Sequence, residues 1–333
     1  MHLVPTPELE PNTGLPLMSS TNTPVSNSGD SFAQPVFVSS PEATSRNSDG
    51  PRPNAPNAPK RKILGMEIDA LTMEGAVDQL WSWIAEPDGT GCRYVVTPNV
   101  DHAVLFKENS DLRAAYRDAH LVLADGHPVV LASKLLGQPV PERVAGSELV
   151  PRMFDFFNHY GDLKVFLLGA AEGVAEVAAK NMLKQWPKVQ TVGVYSPPMG
   201  FEKDKVECAN ILTRIAAAKP DVVVVGLGAP KQELWVHRHH QLIEAKVALC
   251  VGATIDFLAG EKKRAPLWMQ QYGVEWLHRM CSEPKRLVKR YAKDAWVFPQ
   301  LVARQWIENA RNSVAQEQQD LSKEIDADQD GAR

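Results

Sequence analysis

The sequence predicts an α/β protein: a mostly parallel, Rossmann-like sheet with helices on both faces, followed by a helical C-terminal appendage. Three observations carry this reading. Short apolar runs at 94–96, 120–124, 164–168, 191–194, 222–225 and 247–251 read as buried strands. Helical patterns separate most of them, for example 172–185, 203–218 and 231–245. From Pro266 onward the chain reads as all helix, with Trp268, Trp276 and Trp296 marking apolar contacts.

The flanks differ in composition from this alternating centre. Residues 1–60 are rich in Pro, Ser, Asn and Thr, and the stretch ends in Pro51-Arg52-Pro53-Asn54-Ala55-Pro56-Asn57-Ala58-Pro59. Such a segment buries too little surface to offset its ordering entropy, so a disordered tail is expected. A core over 61–265 and a basic helical appendage over 266–312 follow. A loose, acidic tail is expected over 313–333.

Bulk properties exclude several classes. The chain has 333 residues, enough for a sizeable core, and a formal net charge of -4, which gives no global case for nucleic acid. No apolar stretch approaches the roughly 20 residues of a spanning helix. The N-terminus lacks the basic-then-apolar pattern of a secretory signal. Cys92, Cys208, Cys250 and Cys281 are widely spaced, which fits a reducing cytoplasm and argues against a disulfide frame or structural zinc.

In an open parallel sheet, ligands bind beyond the carboxyl ends of the strands. Polar and glycine residues collect there. Residues 94–96 lead into Thr97-Pro98-Asn99-Val100-Asp101-His102, and 121–124 into Asp125-Gly126-His127-Pro128. Residues 166–168 lead into Gly169, and 249–251 into Gly252-Ala253-Thr254-Ile255-Asp256. The most informative turn is Gly226-Leu227-Gly228-Ala229-Pro230-Lys231-Gln232-Glu233. A strand, a glycine turn and a helix start form a phosphate cradle, because backbone N–H groups and the helix dipole favour negative charge. Lys231, Gln232 and Glu233 in the first helical turn can reach the same ligand.

Two roles are open for Asp125. A carboxylate at a strand end can act as general base toward a bound hydroxyl. It can equally form an Asx-turn or cap the following helix. Thr97 can bond substrate or begin a turn, and Asn99 can cap a helix. Asp101 and His102 are adjacent helix positions that do not face each other, so a solvated or substrate-rim pair is expected. The cluster His237-Arg238-His239-His240 lacks metal-ligand spacing and reads as a solvated helix face. No Asp-x-Asp follows a strand, and no metal site is expected.

Lys285, Arg286, Lys289, Arg290 and Lys293 share one helical face, opposite Leu287, Val288, Tyr291 and Ala295. This cationic stripe is either a solvated face or a contact for anionic lipid headgroups or pyrophosphate.

The segments Thr97 to His102, Ala124-Asp125-Gly126, Glu142-Arg143-Val144-Ala145-Gly146-Ser147, Gly226 to Glu233 and Gly252 to Phe257 occur in this order. Arg264-Ala265-Pro266-Leu267-Trp268, Glu275-Trp276-Leu277-His278-Arg279, Glu283-Pro284-Lys285-Arg286 and Lys289-Arg290-Tyr291 follow them. Together they resemble the WecG/TagA/CpsF glycosyltransferases, glycosyltransferase family twenty-six, over about 62–298. The resemblance implies an inverting, metal-independent enzyme without a cofactor. Its donor would be a UDP-sugar, often of N-acetylmannosamine type, and its acceptor a polyprenyl-pyrophosphate-linked saccharide of cell-surface or exopolysaccharide biosynthesis. It further implies work at the inner face of the cell membrane, on anionic lipid through the basic helix, without nucleic acid and with homo-oligomerisation open. By the same resemblance Asp125 is the base and Thr97 a second catalytic residue, with Asn99 beside it in the substrate-binding set. Gln232 belongs to the donor loop, and Arg286 and Arg290 meet the diphosphate. Gly126, Arg143, Gly169, Gly226, Gly228, Lys231, Glu233, Asp256 and Arg264 complete the expected substrate-binding set. Two rival readings remain. A Rossmann nucleotide-sugar-modifying enzyme would want a Gly-x-Gly-x-x-Gly fingerprint, which the chain lacks near Val96. A non-catalytic lipid-binding module would leave the polar strand ends without a use.

Overall fold

The computed structural model describes residues 58–87, 91–262, 265, 266, 269, 275–282 and 284–331. The expected tail 1–60 therefore lies outside the described residues except for its last three positions.

Every strand expected from the apolar runs is present. In chain order they are β3 (Arg93–Val96), β4 (Leu121–Val122), β5 (Leu163–Gly169), β6 (Val189–Tyr195), β7 (Val222–Gly226) and β8 (Val247–Cys250). They form a six-stranded, all-parallel sheet in the order β4-β3-β8-β7-β5-β6. Side chains alternate between its faces, as the strand period of two requires. Val223 and Val225 point into one core, with helices α2 (Val100–Glu108), α3 (Ser110–Arg117), α4 (His127–Leu135), α7 (Lys205–Ala218) and α8 (Lys231–His239). Val222 and Val224 point into the other, with α1 (Met73–Ile84), α5 (Gly146–Tyr160), α6 (Val174–Gln185) and α9 (Thr254–Ala259). Both faces are thus covered, and this is why the strands read as continuous apolar runs without alternation.

One element went unread in the sequence. An antiparallel hairpin, β1 (Lys60–Ile63) and β2 (Met66–Asp69), precedes the first helix. Its strands are only four residues long, too short for a period-two signal. The buried Asp69 fastens it to the sheet by accepting from the Val122 N–H at 2.8 Å.

The C-terminal part carries α10 (Glu275–Ser282) and a long helix, α11 (Pro284–Gly331). Leu287 and Phe298 of α11 are buried against the body. Gln305 accepts from the Leu64 N–H at 2.6 Å and donates to the Lys62 carbonyl at 2.9 Å, and Asn309 donates to the Leu136 carbonyl at 3.1 Å. The helix runs on through 313–331, where the sequence reading expected a loose stretch. The segment 300–330 holds no Pro or Gly and is rich in Gln, Ala and Glu, all good helix formers, so nothing in it stops the helix.

The carboxyl edge is unusually close-packed. A Cβ on Gly169 would stand 2.5 Å from the Gly226 carbonyl oxygen, and one on Gly226 would stand 2.8 Å from the Gly252 carbonyl oxygen. The ends of β5, β7 and β8 therefore touch backbone to backbone. Gly169 also has φ +117°, a region that L side chains rarely adopt. Gly169→Ala is expected to cost about 2–4 kcal/mol, from overlap plus backbone strain. Urea unfolding checks this, and a loss below about 1 kcal/mol would contradict the close approach.

Candidate active site

A cavity of about 300 Å³ opens at the carboxyl edge of β3 and β4. The loops after these strands supply Asn99, Asp125 and Gly126; Arg143 enters from the segment before α5, and Arg290 and Tyr291 from α11. These loops are fixed to one another. The Asp125 N–H donates to the Pro98 carbonyl at 2.8 Å, and the Val144 N–H donates to the Ala124 carbonyl at 2.8 Å. The carboxylate of Asp125 is thereby carried on a rigid frame.

The helix-cap role left open for Asp125 falls away here. Helix α4 begins at His127 with Gly126 at its N-cap, φ +104°, and no side chain caps it. Asp125 is therefore not the helix cap, and its carboxylate faces the cavity. The Arg143 guanidinium lies 4.0 Å from Asp125 Oδ1 and is also bonded to Glu148. Burial disfavours the charge on Arg143, but Glu148 and Asp125 outweigh it and hold its pKa above the ordinary value. His127, also in the lining, has its pKa pushed down by burial and by Arg143.

Asn99 does both things open to it. Its side chain caps α2 by accepting from the His102 N–H, and it lines the cavity. Thr97 does not reach the cavity lining. It is buried, and its hydroxyl donates to the Cys250 carbonyl at 3.2 Å, bridging the ends of β3 and β8.

The glycine loop stands at the end of β7, separated from β3 by β8, outside the lining of this cavity. Gly228 has φ +80°, and Lys231 opens α8, with its ammonium 3.7 Å from Glu202. Gln232 is buried and spans two loops: its Oε1 accepts from the Gly252 N–H at 3.2 Å, and its Nε2 donates to Glu233 Oε1 at 2.7 Å. Glu233 is fully buried and turned toward His102, so it supports the loop from behind and is not exposed to a ligand. Asp256 pairs with Lys262 at 3.6 Å. Gly169 and Gly226 form the close backbone step described above. Arg264 and the side chain of Arg286 lie outside the described residues.

Other expectations are corrected. Asp101 and His102 are 8 % and 6 % exposed and each has its own partner, so they are not a solvated pair, while Asp101 lines the cavity as a rim residue would. The cationic stripe is not uniformly solvated either. Arg290 pairs with Asp101 at 2.7 Å and Lys293 with Glu108 at 2.8 Å, because α2 presents acids along the flank on which α11 packs. Val288, expected on the packed face, is exposed. His237 bonds Asp118 at 2.9 Å, and the His240 ring packs 5.2 Å from that of Tyr94, so these histidines pack on the body. All four cysteines are free. The lining also holds Ser147, Glu275, Trp276, Asp294 and Phe298, which the local sequence did not single out as site residues.

Asp294 of α11 is 5 % exposed. Burial, then the Asp101 carboxylate, push its pKa from 3.8 up to about 6 against the pull of Arg290, Lys293 and His102. A carboxyl that binds its proton more tightly when folded adds stability as pH falls below about 6 and opposes folding above it. Asp294→Asn mimics the protonated form. It is expected to raise the melting temperature near pH 8 and to change little near pH 4, as differential scanning fluorimetry at both values would report. An equal gain at both would contradict the account.

Comparison with known proteins agrees with the geometry. The Glycosyl transferase WecG/TagA/CpsF family matches residues 61–312. A relative from Staphylococcus aureus (strain MRSA252), named N-acetylglucosaminyldiphosphoundecaprenol N-acetyl-beta-D-mannosaminyltransferase, is 31% identical over 258 residues, 77% of this chain and 97% of the relative. The protein of the same name from Staphylococcus aureus (strain MW2) shows the same identity and coverage. The chain belongs to the WecG/TagA/CpsF family of glycosyltransferases.

Proposed function

We propose that this glycosyltransferase moves a hexose, of the N-acetylmannosamine type, from a UDP-sugar to a saccharide linked to polyprenyl pyrophosphate, with inversion and without a metal. The product would enter a cell-surface or exopolysaccharide polymer. The activity for which the relatives are named supports the donor sugar and the lipid-linked N-acetylglucosamine acceptor. The observation that carries the reading is the placement of Asp125: a carboxylate in the cavity, not used as a helix cap, beside Arg143 and beneath Arg290 and Tyr291 of α11.

The chemistry follows from these groups. The acceptor hydroxyl attacks the anomeric carbon from the face opposite the departing diphosphate. Asp125 takes the hydroxyl proton as the new C–O bond forms. The bond from the anomeric carbon to the diphosphate oxygen breaks, and UDP leaves with the electron pair. Negative charge grows on the diphosphate, and charge that develops in the transition state is where fixed dipoles and cations help most. The Gly226–Gly228 backbone, the N-terminus of α8 and Lys231 offer that potential, with Arg290 and Arg286 as the groups for the lipid diphosphate. A cationic cradle of this kind does the work that a divalent ion does elsewhere. Thr97, bonded to the β8 end, fixes the β3 loop that carries Asn99. No helix of the described residues is long and apolar enough to cross a membrane, so the acceptor would be met at the surface.

Two outcomes are expected. Purified protein releases UDP from one donor of a UDP-sugar panel only when polyprenyl-pyrophosphate N-acetylglucosamine is present, and EDTA leaves the rate unchanged. Loss of activity in EDTA that added magnesium or manganese restores would contradict metal independence. Asp125→Asn melts like wild type and loses transfer by about 10²–10⁴-fold. Turnover within a few-fold of wild type would refute the base assignment.

A further inference from the structure

A buried histidine–glutamate pair lies behind the cavity and has no part in the chemistry so far. His102 is 6 % exposed and Glu233 is fully buried, and His102 Nε2 meets Glu233 Oε1 at 3.2 Å. They come from the first turns of α2 and α8. Each side chain has a second partner. Glu233 Oε1 accepts from Gln232, which in turn accepts from the Gly252 N–H. His102 Nδ1 stands 2.8 Å from Asn99 Oδ1. The contacts run unbroken from the loop after β8, through the start of α8, to the residue that caps α2 and lines the cavity with Asp125.

The partners fix the protonation of the ring. Asn99 Oδ1 accepts from the His102 backbone N–H at 3.4 Å, so the oxygen of the amide is the atom turned toward the helix. A ring nitrogen 2.8 Å from that oxygen donates to it. The other ring nitrogen faces a carboxylate, which accepts. A neutral imidazole carries only one N–H, and two acceptors require two. The competing arrangement, Asn99 N–H toward Nδ1, is longer at 3.4 Å.

The surrounding charge agrees. Glu233 faces the ring from α8, Asp101 is its neighbour on α2, and Asp125 acts from the loop after β4. Asp294 of α11 also feels its charge, and the Tyr116 ring of α3 lies 6.4 Å away. Arg290 of α11 is held by Asp101, the neighbour of His102 on α2. Burial pulls the imidazole pKa down, but the Glu233 bond and charge, then Asp101 and Asp125, carry it above the ordinary value. Glu233 Oε2 has no hydrogen-bond partner among the described residues, so an ionised Glu233 depends on a cation at its other oxygen.

We propose that His102 is a positioning residue of the transferase: a buried imidazolium, clamped between Asn99 and Glu233, that holds the wall carrying Asp125 in register with the Gln232 and Gly252 loops. Its role in turnover rests on the transfer reaction proposed above. His102 touches no reacting atom. It acts through Asn99 on one side and through Glu233 and Gln232 on the other.

The test begins without substrate. In the full-length chain labelled with ¹⁵N-histidine, the His102 signal, assigned by its loss in His102→Gln, is expected at imidazolium positions for both nitrogens at about pH 8, well above the ordinary imidazole pKa near 6.5. A neutral tautomer at that pH overturns the proposal, whatever the protein catalyses. Turnover supplies the second readout. Glu233→Gln keeps the shape but removes the charge that holds the second proton. Its kcat/KM is expected to fall about 10–100-fold as pH rises from about 6 to 8, relative to wild type over the same range. The fall should sit mainly in donor KM, since Gln232 and Gly252 loosen while Asp125 remains. A Glu233→Gln profile parallel to wild type overturns the positioning role. Absent turnover by wild type with every donor would instead count against the transfer reading, and the NMR result would still decide the state of His102.

Discussion

The first turn of α2 is the constraint on which the site depends. Three neighbouring residues, Asn99, Asp101 and His102, point in three directions from one turn. Asn99 caps the helix and lines the cavity. Asp101 holds Arg290 of the C-terminal helix at 2.7 Å. His102 meets Glu233 at the start of α8 at 3.2 Å. A helix advances about 100° per residue, so successive side chains leave it on different sides. Adjacent positions that cannot face each other can therefore join separate elements. The turn follows directly from β3, a strand inside the sheet, so its position is set by the ladder to β8 and β4.

Charge is distributed unevenly around that turn. Asp101, Asp125, Glu233 and Asp294 bring acidity to a small region, and Arg143, Arg290 and Lys293 oppose it. Buried charges of one sign are costly without partners. The long C-terminal helix answers part of this by delivering Arg290 and Lys293 to the acids of α2. It is also strapped down by Gln305 and Asn309, far along its length. The basic residues that read as a membrane-facing stripe thus divide: two serve the body through ion pairs, and Lys289 stays exposed.

Much of this was legible in the sequence, for physical reasons. Strands buried on both faces have to be apolar throughout, so all six were visible as runs. Glycine at the ends of β5 and β7 read as room for a ligand, and what it permits in the structure is a close approach of the strand ends to each other. Asp125 and Asn99 were placed correctly at the edge because parallel topology puts every strand end on one side. What stayed hidden depended on partners distant in sequence. Local pattern made Asp101 and His102 look solvated, since Glu233 and Arg290 lie more than a hundred residues away. Glu233 looked like a ligand contact because its position in the first turn was clear, while the direction of its side chain was not. The hairpin of β1 and β2 was too short to show a period. Continuation of the last helix was masked by a composition that suits solvent-exposed helix and unstructured tail alike.

The central claim is a single displacement at the anomeric carbon, with one carboxylate as base. The anomeric configuration of the product tests it most directly. An α-linked UDP-sugar would be turned over with a ¹³C-labelled anomeric carbon, and the one-bond carbon–proton coupling of the lipid-linked product measured by NMR. The account predicts the smaller coupling of a β-linkage, inverted from the donor. An α-linked product would mean retention, which a single attack assisted by Asp125 cannot produce, and would contradict the account.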